Sequence, residues 1–391
     1  MRQRMSAVIA AVVLLVGTAP ASAAPILGTP GPIVPTAEAI RSDVDMYRAM
    51  FNVSEATARL EIDEGQRVGE LQVELEGKYP EFAGLWIEHS PYQVVVATAR
   101  QRSERVAAAV DAAHLSHVEL RVMPRSLTEL LTLLDAVRAS KVPTDVSVNL
   151  RENRVDARTA SRATMLASLA ATARADEALS VVEVAQLARP AVSLWGGLGG
   201  ASNNWSGCPS GFTVRKTGTT TDGFFTAGHC GNVLSYQGVN LPFQGDWFSG
   251  NSDSQWHTAP GFTVTDTFQY SNAGYQRYVE SERFWDQIVA GEQVCKYGPA
   301  GGYGCGTVET RYLAPSYIPN ATATYVRVKN CDYDLAIPGD SGGPVFSYTR
   351  AYGLVSGYED DIFCGLRNML IFSSQDFAYY HFPVRIKVHQ Y

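Results

Sequence analysis

Apolar and polar positions along this chain follow two different periods. Leu127, Leu130, Leu131, Leu134 and Val137 recur at helical spacing behind Ser126, and Glu129 three residues after that serine completes a capping-box pattern, so a helix is predicted there. Residues 85–88 and 94–97 read as short strands around Ser90, Pro91 and Tyr92, residues 146–150 and 154–157 as a hairpin, and the Ala-rich stretch 159–175 as helical. This half is α+β. Beyond residue 190 the pattern changes: short runs rich in Val, Thr, Tyr and Phe, such as 212–215, 325–329 and 353–355, are broken at close intervals by Gly, Asn, Asp and Pro. That is the signature of an all-β sandwich or barrel.

Composition places the boundary. Residues 24–190 hold 3 Tyr, 1 Trp and no Cys, whereas 191–391 hold 16 Tyr, 5 Trp, all six Cys and 27 of the 34 Gly. The break falls beside Ala188, Arg189, Pro190 and the glycine-rich run Gly196, Gly197, Leu198, Gly199 and Gly200, which suits a flexible junction within 186–200. At the start, Arg2 and Arg4 precede an apolar run from Ala7 to Val16, and Ala21, Ser22 and Ala23 supply a small-residue cleavage pattern. Residues 1–23 therefore read as a secretory signal peptide, with an apolar run too short to span a bilayer, so an extracellular protein is expected, with no membrane anchor. Gln3 between the arginines breaks a twin-arginine pattern. With 32 basic and 39 acidic residues the net charge is −7, which disfavours nucleic acid as a partner. Six cysteines in an exported chain fit three disulfides, for which sequence alone allows fifteen pairings. His89, His114 and His117 lack Cys or carboxylate partners at ligand spacing, so no metal is expected.

Two motifs carry chemistry. Thr226, Ala227, Gly228, His229 and Cys230 follow the apolar pair Phe224 and Phe225, and Gly339, Asp340, Ser341, Gly342, Gly343 and Pro344 form a tight glycine-rich turn. A serine hydroxyl is a poor nucleophile near neutral pH; it needs an imidazole to take its proton and a carboxylate to fix that imidazole's tautomer. His229 and Ser341 suit the first two roles. The turn can aim the Gly339 and Ser341 amides at one developing oxyanion.

Together these motifs resemble the histidine and serine signatures of the chymotrypsin-like serine proteases, in the same order along the chain. The run from Cys295, Lys296, Tyr297 and Gly298 to Gly304, Cys305, Gly306 and Thr307 resembles more narrowly the secreted bacterial streptogrisin and alpha-lytic branch. The resemblance implies an all-β double β-barrel, trypsin-like protease domain over 191–391, preceded by an α+β pro-region over 24–190 that assists folding. It implies a monomeric serine endopeptidase acting on protein or peptide substrates without metal or organic cofactor, with its own pro-region as partner. Asp253, ahead of Ser254, Gln255 and Trp256, suits the triad aspartate; Asp246 and Asp266 are its rivals, and Ser254 departs from the apolar residue usual after that aspartate. The family order pairs Cys208 with Cys230, Cys295 with Cys305, and Cys331 with Cys364. Lys296 stands where the branch usually has an arginine paired with the aspartate equivalent to Asp340, which puts that buried ion pair in question. The specificity pocket falls to Leu335, Ser356 and Gly357 and their neighbours; Leu335, six residues before Ser341, argues against a preference for Lys or Arg and towards an apolar or aromatic residue before the cut. Cys331 lies ten residues before Ser341, farther than is usual, which marks an insertion in this wall. No Arg-Ile-Val-Gly-Gly string stands near the boundary, so self-removal of the pro-region between about 188 and 200 is expected instead of digestive-type zymogen triggering.

Two other readings meet the same residues. Gly339, Ser341 and Gly343 satisfy the nucleophile elbow of lipases and esterases, with Asp376 and His381 or His389 downstream, but that elbow needs a helix straight after the serine. A secreted binding protein, catalytically inactive, would use Tyr270, Tyr275 and Tyr278 to grip a partner, yet it has no need of His229 and Ser341. His257, His381 and His389 read as structural or exposed.

Overall fold

The two periods of the sequence separate into two parts of the fold. The computed structural model describes residue 33 and residues 36–190, 208–236, 238–361, 364–365 and 367–390; the segment 1–23 expected to be a signal and the glycine-rich run at the junction lie outside the described residues. The first part comprises helices α1 (Thr36–Phe51) and α2 (Glu55–Lys78), strands β1 (Phe82–Glu88) and β2 (Gln93–Ala99), helix α3 (Glu104–Ala112), strand β3 (Val118–Met123) and helix α4 (Leu127–Arg138). There follow the hairpin β4 (Thr144–Asn149) and β5 (Arg154–Thr159), helices α5 (Arg162–Ser168) and α6 (Ala171–Arg174), strand β6 (Leu179–Glu183) and the two-residue strand β7 (Arg189–Pro190). The capping box of α4 is formed in both directions, with the Ser126 amide donating to the Glu129 carboxylate at 2.8 Å. Its Leu127, Leu130, Leu134 and Val137 are buried against the sheets. The helical stretch expected over 159–175 is split in two, because Leu169 is extended and buries its side chain.

The second part holds β8 (Thr213–Lys216), β9 (Asp222–Thr226), β10 (Leu234–Tyr236), β11 (Val239–Leu241), β12 (Phe243–Ser249), β13 (Ser252–Thr258), β14 (Thr267–Gln269), β15 (Gln276–Tyr278) and β16 (Ser281–Glu282). Then come β17 (Gln293–Gly298), β18 (Gly302–Ala314), β19 (Tyr325–Lys329), β20 (Pro344–Ser347), β21 (Arg350–Asp361), β22 (Arg367–Ser374), helix α7 (Gln375–His381) and β23 (Val384–Ile386). One lobe is a five-stranded antiparallel sheet ordered β12-β13-β9-β8-β23. The other runs β17-β20-β21-β22-β19-β18 and closes by pairing β18 with β17, a six-stranded antiparallel barrel. Val294, Val308, Val328, Val345, Val355 and Leu370 fill it, each fully removed from water and each worth roughly 1.5–3 kcal/mol of burial. This is the trypsin-like all-β architecture, preceded by an α+β part.

The two parts share one sheet. The 13-residue β18 outruns its barrel, and its last residues Leu313 and Ala314 pair with Ser147 and Val146 of β4, so that the barrel sheet continues into β5 and β6. Farther along, β7 lies antiparallel to β21, with Arg189 opposite Tyr358 and Pro190 opposite Gly357. Buried polar groups tie the same interface. Asp43 of α1 meets the Arg277 guanidinium at 2.8 Å with neither exposed, and Arg283 donates to the Gln66 carbonyl of α2 at 2.9 Å.

His89 sits in this interface with its ring stacked on Phe51, its Nε2 2.8 Å from the Gly291 carbonyl oxygen and its Nδ1 3.1 Å from the Tyr47 hydroxyl. Burial pulls its pKa down to about 4. An unfolded chain protonates histidine near pH 6.5, so the contribution of neutral His89 is fully present above that pH and is lost as pH falls through about 4, a change of roughly 3 kcal/mol. Urea denaturation of the full-length chain will therefore show stability declining more steeply with acidification when His89 is present than in a His89→Gln background; parallel curves would contradict this assignment.

Candidate active site

Strand β9 ends at Thr226 and the chain turns through Ala227 and Gly228, which sets His229 between the two lobes. Strand β13 brings Asp253 beneath it from the five-stranded sheet, and the turn before β20 brings Ser341 from the barrel. The His229 Nε2 lies 2.8 Å from the Ser341 Oγ, and its Nδ1 lies 2.7 Å from the Asp253 Oδ2. The backbone N–H of His229 donates to the other carboxylate oxygen of Asp253 at 3.0 Å. With Nδ1 facing a carboxylate, the neutral ring carries its proton there and leaves Nε2 free to accept from the serine. Of the three aspartates weighed from sequence, Asp253 alone meets His229: Asp246 lies opposite Gln255 in the β12–β13 pair, and Asp266 bonds His389 at 2.6 Å.

Asp253 is fully buried, and its satisfaction continues past His229. The Ser356 hydroxyl donates to Oδ2 at 2.5 Å, and the Tyr317 hydroxyl lies 2.8 Å from the Ser356 Oγ. An ionised carboxylate only accepts, so the single Ser356 proton points to Asp253 and Tyr317 must donate to Ser356. Desolvation, reinforced by the Asp253 charge, pushes the Tyr317 phenol well above its ordinary pKa, which keeps that donor protonated. Sequence reasoning missed Tyr317, because it lies in the loop after β18 and its role exists only through Ser356. It missed Phe248 as well, whose ring stands edge-on to His229 with centroids 5.7 Å apart.

At the serine, Gly339 has φ 104°, a conformation that a side chain would strain. Among the described residues nothing accepts from the Gly339 or Ser341 N–H, so both remain available to an oxyanion. The ion pair that Lys296 put in question is formed: its Nζ lies 2.7 Å from the Asp340 Oδ2, and both side chains are buried. The Gly301 and Ala300 amides donate to the other carboxylate oxygen at 2.8 and 3.2 Å, so lysine, with three donors and a compact head, suffices where an arginine was expected. Burial pulls the Lys296 ammonium below its ordinary pKa, and Asp340 pulls it back.

The residues assigned to the substrate pocket are spread over two surroundings. Leu335 is fully buried among the barrel side chains with Val355 and Tyr358. The Ser356 hydroxyl faces Asp253, whereas Gly357 faces β7: a Cβ there would lie 2.3 Å from the Arg189 carbonyl oxygen and 2.5 Å from the Tyr317 hydroxyl. Cys208 bonds Cys230, Cys295 bonds Cys305 and Cys331 bonds Cys364, which fits an oxidising compartment. The elbow reading fails on geometry. Pro344 opens a strand, Asp376 bonds Ser374 and the Trp285 amide, and His381 stacks on Trp247. No described helix is long and apolar enough to cross a membrane.

A serine, an imidazole and a buried carboxylate in hydrogen-bond sequence between two β-lobes define the chymotrypsin-like class of serine proteases. In sequence the chain is similar to bacterial, streptogrisin-like proteases. It is 31% identical over 232 residues to Streptogrisin-C of Streptomyces griseus, covering 57% of this chain and 49% of that one. It is 24% identical over 330 residues to Serine protease 1 of Rarobacter faecitabidus, covering 79% of this chain and 57% of that one. The chain thus spans about half the length of the curated relatives it matches. Among solved structures it is similar to Nocardiopsis protease, at 28% identity, TM-score 0.40, and 46% and 93% coverage of the two chains. Protease A of Thermobifida fusca gives 28% identity, TM-score 0.39, and 46% and 92% coverage. No family model matches the chain.

Replacing Lys296 by Met leaves the Asp340 charge buried without its counter-ion, at a cost of roughly 3–5 kcal/mol, and loosens the turn that holds Ser341. Denaturation will show that loss in the single variant and a markedly smaller one in Lys296→Met/Asp340→Asn; equal losses would mean the pair does not act as a unit.

Proposed function

We propose that the chain is a secreted serine endopeptidase, exported by the leader 1–23 and made with a pro-region, 24–190, that the protease domain, 191–391, removes. The observation that carries this reading is the hydrogen-bonded sequence Ser341, His229, Asp253. As the Ser341 Oγ attacks a peptide carbonyl, His229 Nε2 takes its proton and Asp253 stabilises the imidazolium at Nδ1. The Gly339 and Ser341 amides meet the oxyanion, each such donor being worth roughly 3 kcal/mol in the transition state. His229 then protonates the leaving amine, and water, deprotonated by the same imidazole, releases the acyl group from Ser341.

The short strand β7 supports self-processing. It runs antiparallel to β21 as an extended peptide substrate would, and β21 leads from Gly357 back to Val355, whose carbonyl accepts from the Gly342 amide beside Ser341 at 2.8 Å. A peptide continuing that ladder past Pro190 by one residue presents its next bond to the serine. The residue after Pro190 is Ala191, so the cut falls after Ala191, within the 188–200 window and behind an apolar side chain. The buried, uncharged Leu335 supports an apolar or aromatic preference at that position.

A fluorophosphonate probe with intact-mass analysis tests the reading. The secreted wild-type protein is expected as a fragment of about 200 residues with one adduct on Ser341. Ser341→Ala is expected to stay full length and unlabelled. A correctly processed, disulfide-bonded fragment that takes up no probe would overturn it.

A further inference from the structure

The segment that ends the first part is held along β21 by its side chains as well as its backbone, and those side chains differ sharply in character. Ala188 is 4% exposed and sits in a buried cluster with the bulky apolar side chains of Leu313, Ile318, Tyr325 and Ile371. Arg189 points elsewhere. Its Nη2 lies 3.3 and 3.4 Å from the two carboxylate oxygens of Asp360, and its guanidinium lies over the Tyr358 ring at 4.8 Å from the centroid. Both partners belong to β21 in the protease part, two residues apart, on the edge that receives β7. The Ala188 N–H is met at 2.6 Å by Asp145, which belongs to the same first part and which a separate peptide would lack.

We infer that Asp360 and Tyr358 form a substrate-side-chain site selecting a basic residue at the third position before the cut, with a small apolar residue favoured at the fourth. The inference rests on the serine-protease reading and narrows its substrate class to peptides of the pattern small apolar, basic, any residue compatible with an extended strand, apolar. The physical basis is direct. A carboxylate facing a guanidinium attracts it, an aromatic face beneath the guanidinium adds a second attraction that a neutral side chain lacks, and a glutamate in the same place would face Asp360 with like charge. The site is partly open to water, with the Arg189 and Asp360 side chains 40% and 29% exposed, so its effect is selection among substrates and its strength depends on salt. Nothing in the pattern of the sequence marks Asp360, because it is one of several acids in the run Glu359, Asp360 and Asp361. Only the register of β7 on β21 distinguishes it: Glu359 is buried with Arg158 and Arg327.

The test uses the processed enzyme and three chromogenic p-nitroanilides, Ala-Arg-Pro-Ala, Ala-norleucine-Pro-Ala and Ala-Glu-Pro-Ala. The expected order of kcat/KM is Arg, norleucine, Glu, with about tenfold between the first two at low salt and less at high salt. In Asp360→Asn the ratio of the Arg to the norleucine peptide falls towards one. In the full chain, Arg189→Glu slows appearance of the processed fragment by a similar factor. Equal rates for the three peptides on an enzyme that takes up the fluorophosphonate would overturn this inference while leaving the protease reading intact. No cleavage and no adduct would remove both.

Discussion

A carboxylate with no access to water has to be met by donors on its lone pairs, and around Asp253 that requirement fixes the whole arrangement. Three donors reach it: the His229 amide, the His229 ring and the Ser356 hydroxyl. The first two orient the imidazole, which no packing contact alone would do, and the third locks β21 against β13 across the seam between the lobes. Because Ser356 spends its only proton on Asp253, it needs a donor in turn, and Tyr317 supplies one from the loop after β18. A hydrogen-bonded chain that ends at Ser341 therefore helps register the two lobes, and displacing any member leaves a buried polar atom unpaired.

A second buried charge does for the serine what Asp253 does for the histidine. Asp340 cannot turn towards water, and its four donors, Lys296 and the amides of Ala300, Gly301 and Ile337, come from two segments that flank the Gly339–Ser341 turn. The turn is thereby set with the Gly339 and Ser341 N–H groups left unused among the described residues, while the Asp340 amide donates to the Ile337 carbonyl. The sequence showed that Asp340 needed a cation and raised doubt about lysine; the fold answers with backbone amides that share the load. Motif residues were legible here because each motif packs its chemistry into five or six consecutive positions. Asp253 was legible only as one of three candidates, since a lone aspartate ahead of a strand is distinguished by what faces it. Tyr317, Phe248 and Asp360 were not legible at all, each acting through a neighbour distant in sequence.

The same distinction runs through the fold. Helix α4 could be read because its cap and its apolar stripe agree. Helix α2 could not: its buried face runs Ala58, Ile62, Glu64, Gly65, Val68, Gly69, Leu71, Gln72 and Leu75, so the stripe is interrupted by glycines, a glutamate and a glutamine. Those interruptions have tertiary causes. A Cβ at Gly69 would lie 2.3 Å from the Arg283 guanidinium, and the Gln72 amide donates to the Ile288 carbonyl at 2.8 Å. The helix gave up local apolar signal to make room for groups of the β part. The joining of β18 to β4 was likewise invisible, since a strand that outruns its barrel differs from its neighbours only in length.

What those buried charges mean for the joint between the two parts depends on where the partners go. Arg277, Arg283 and Arg311 of the β part are at most 2% exposed, and each is met from the first part, by Asp43, by the Gly65 and Gln66 carbonyls, and by Glu76. Deleting one partner in place strands a charge in a dry interface, which is among the costliest single changes a fold can suffer. Separating the whole first part is different, because the surface that buried the arginines leaves with their partners and water reaches both sides. A guanidinium stays charged at any physiological pH and is readily solvated at a surface, so exposure leaves no group in an unfavourable state of ionisation. An apolar interface of equal area has no such exit, since parting it exposes oil to water over its full extent. An interface built on buried arginines can therefore be demanding about its partners while joined and still come apart without leaving an orphaned charge inside either piece.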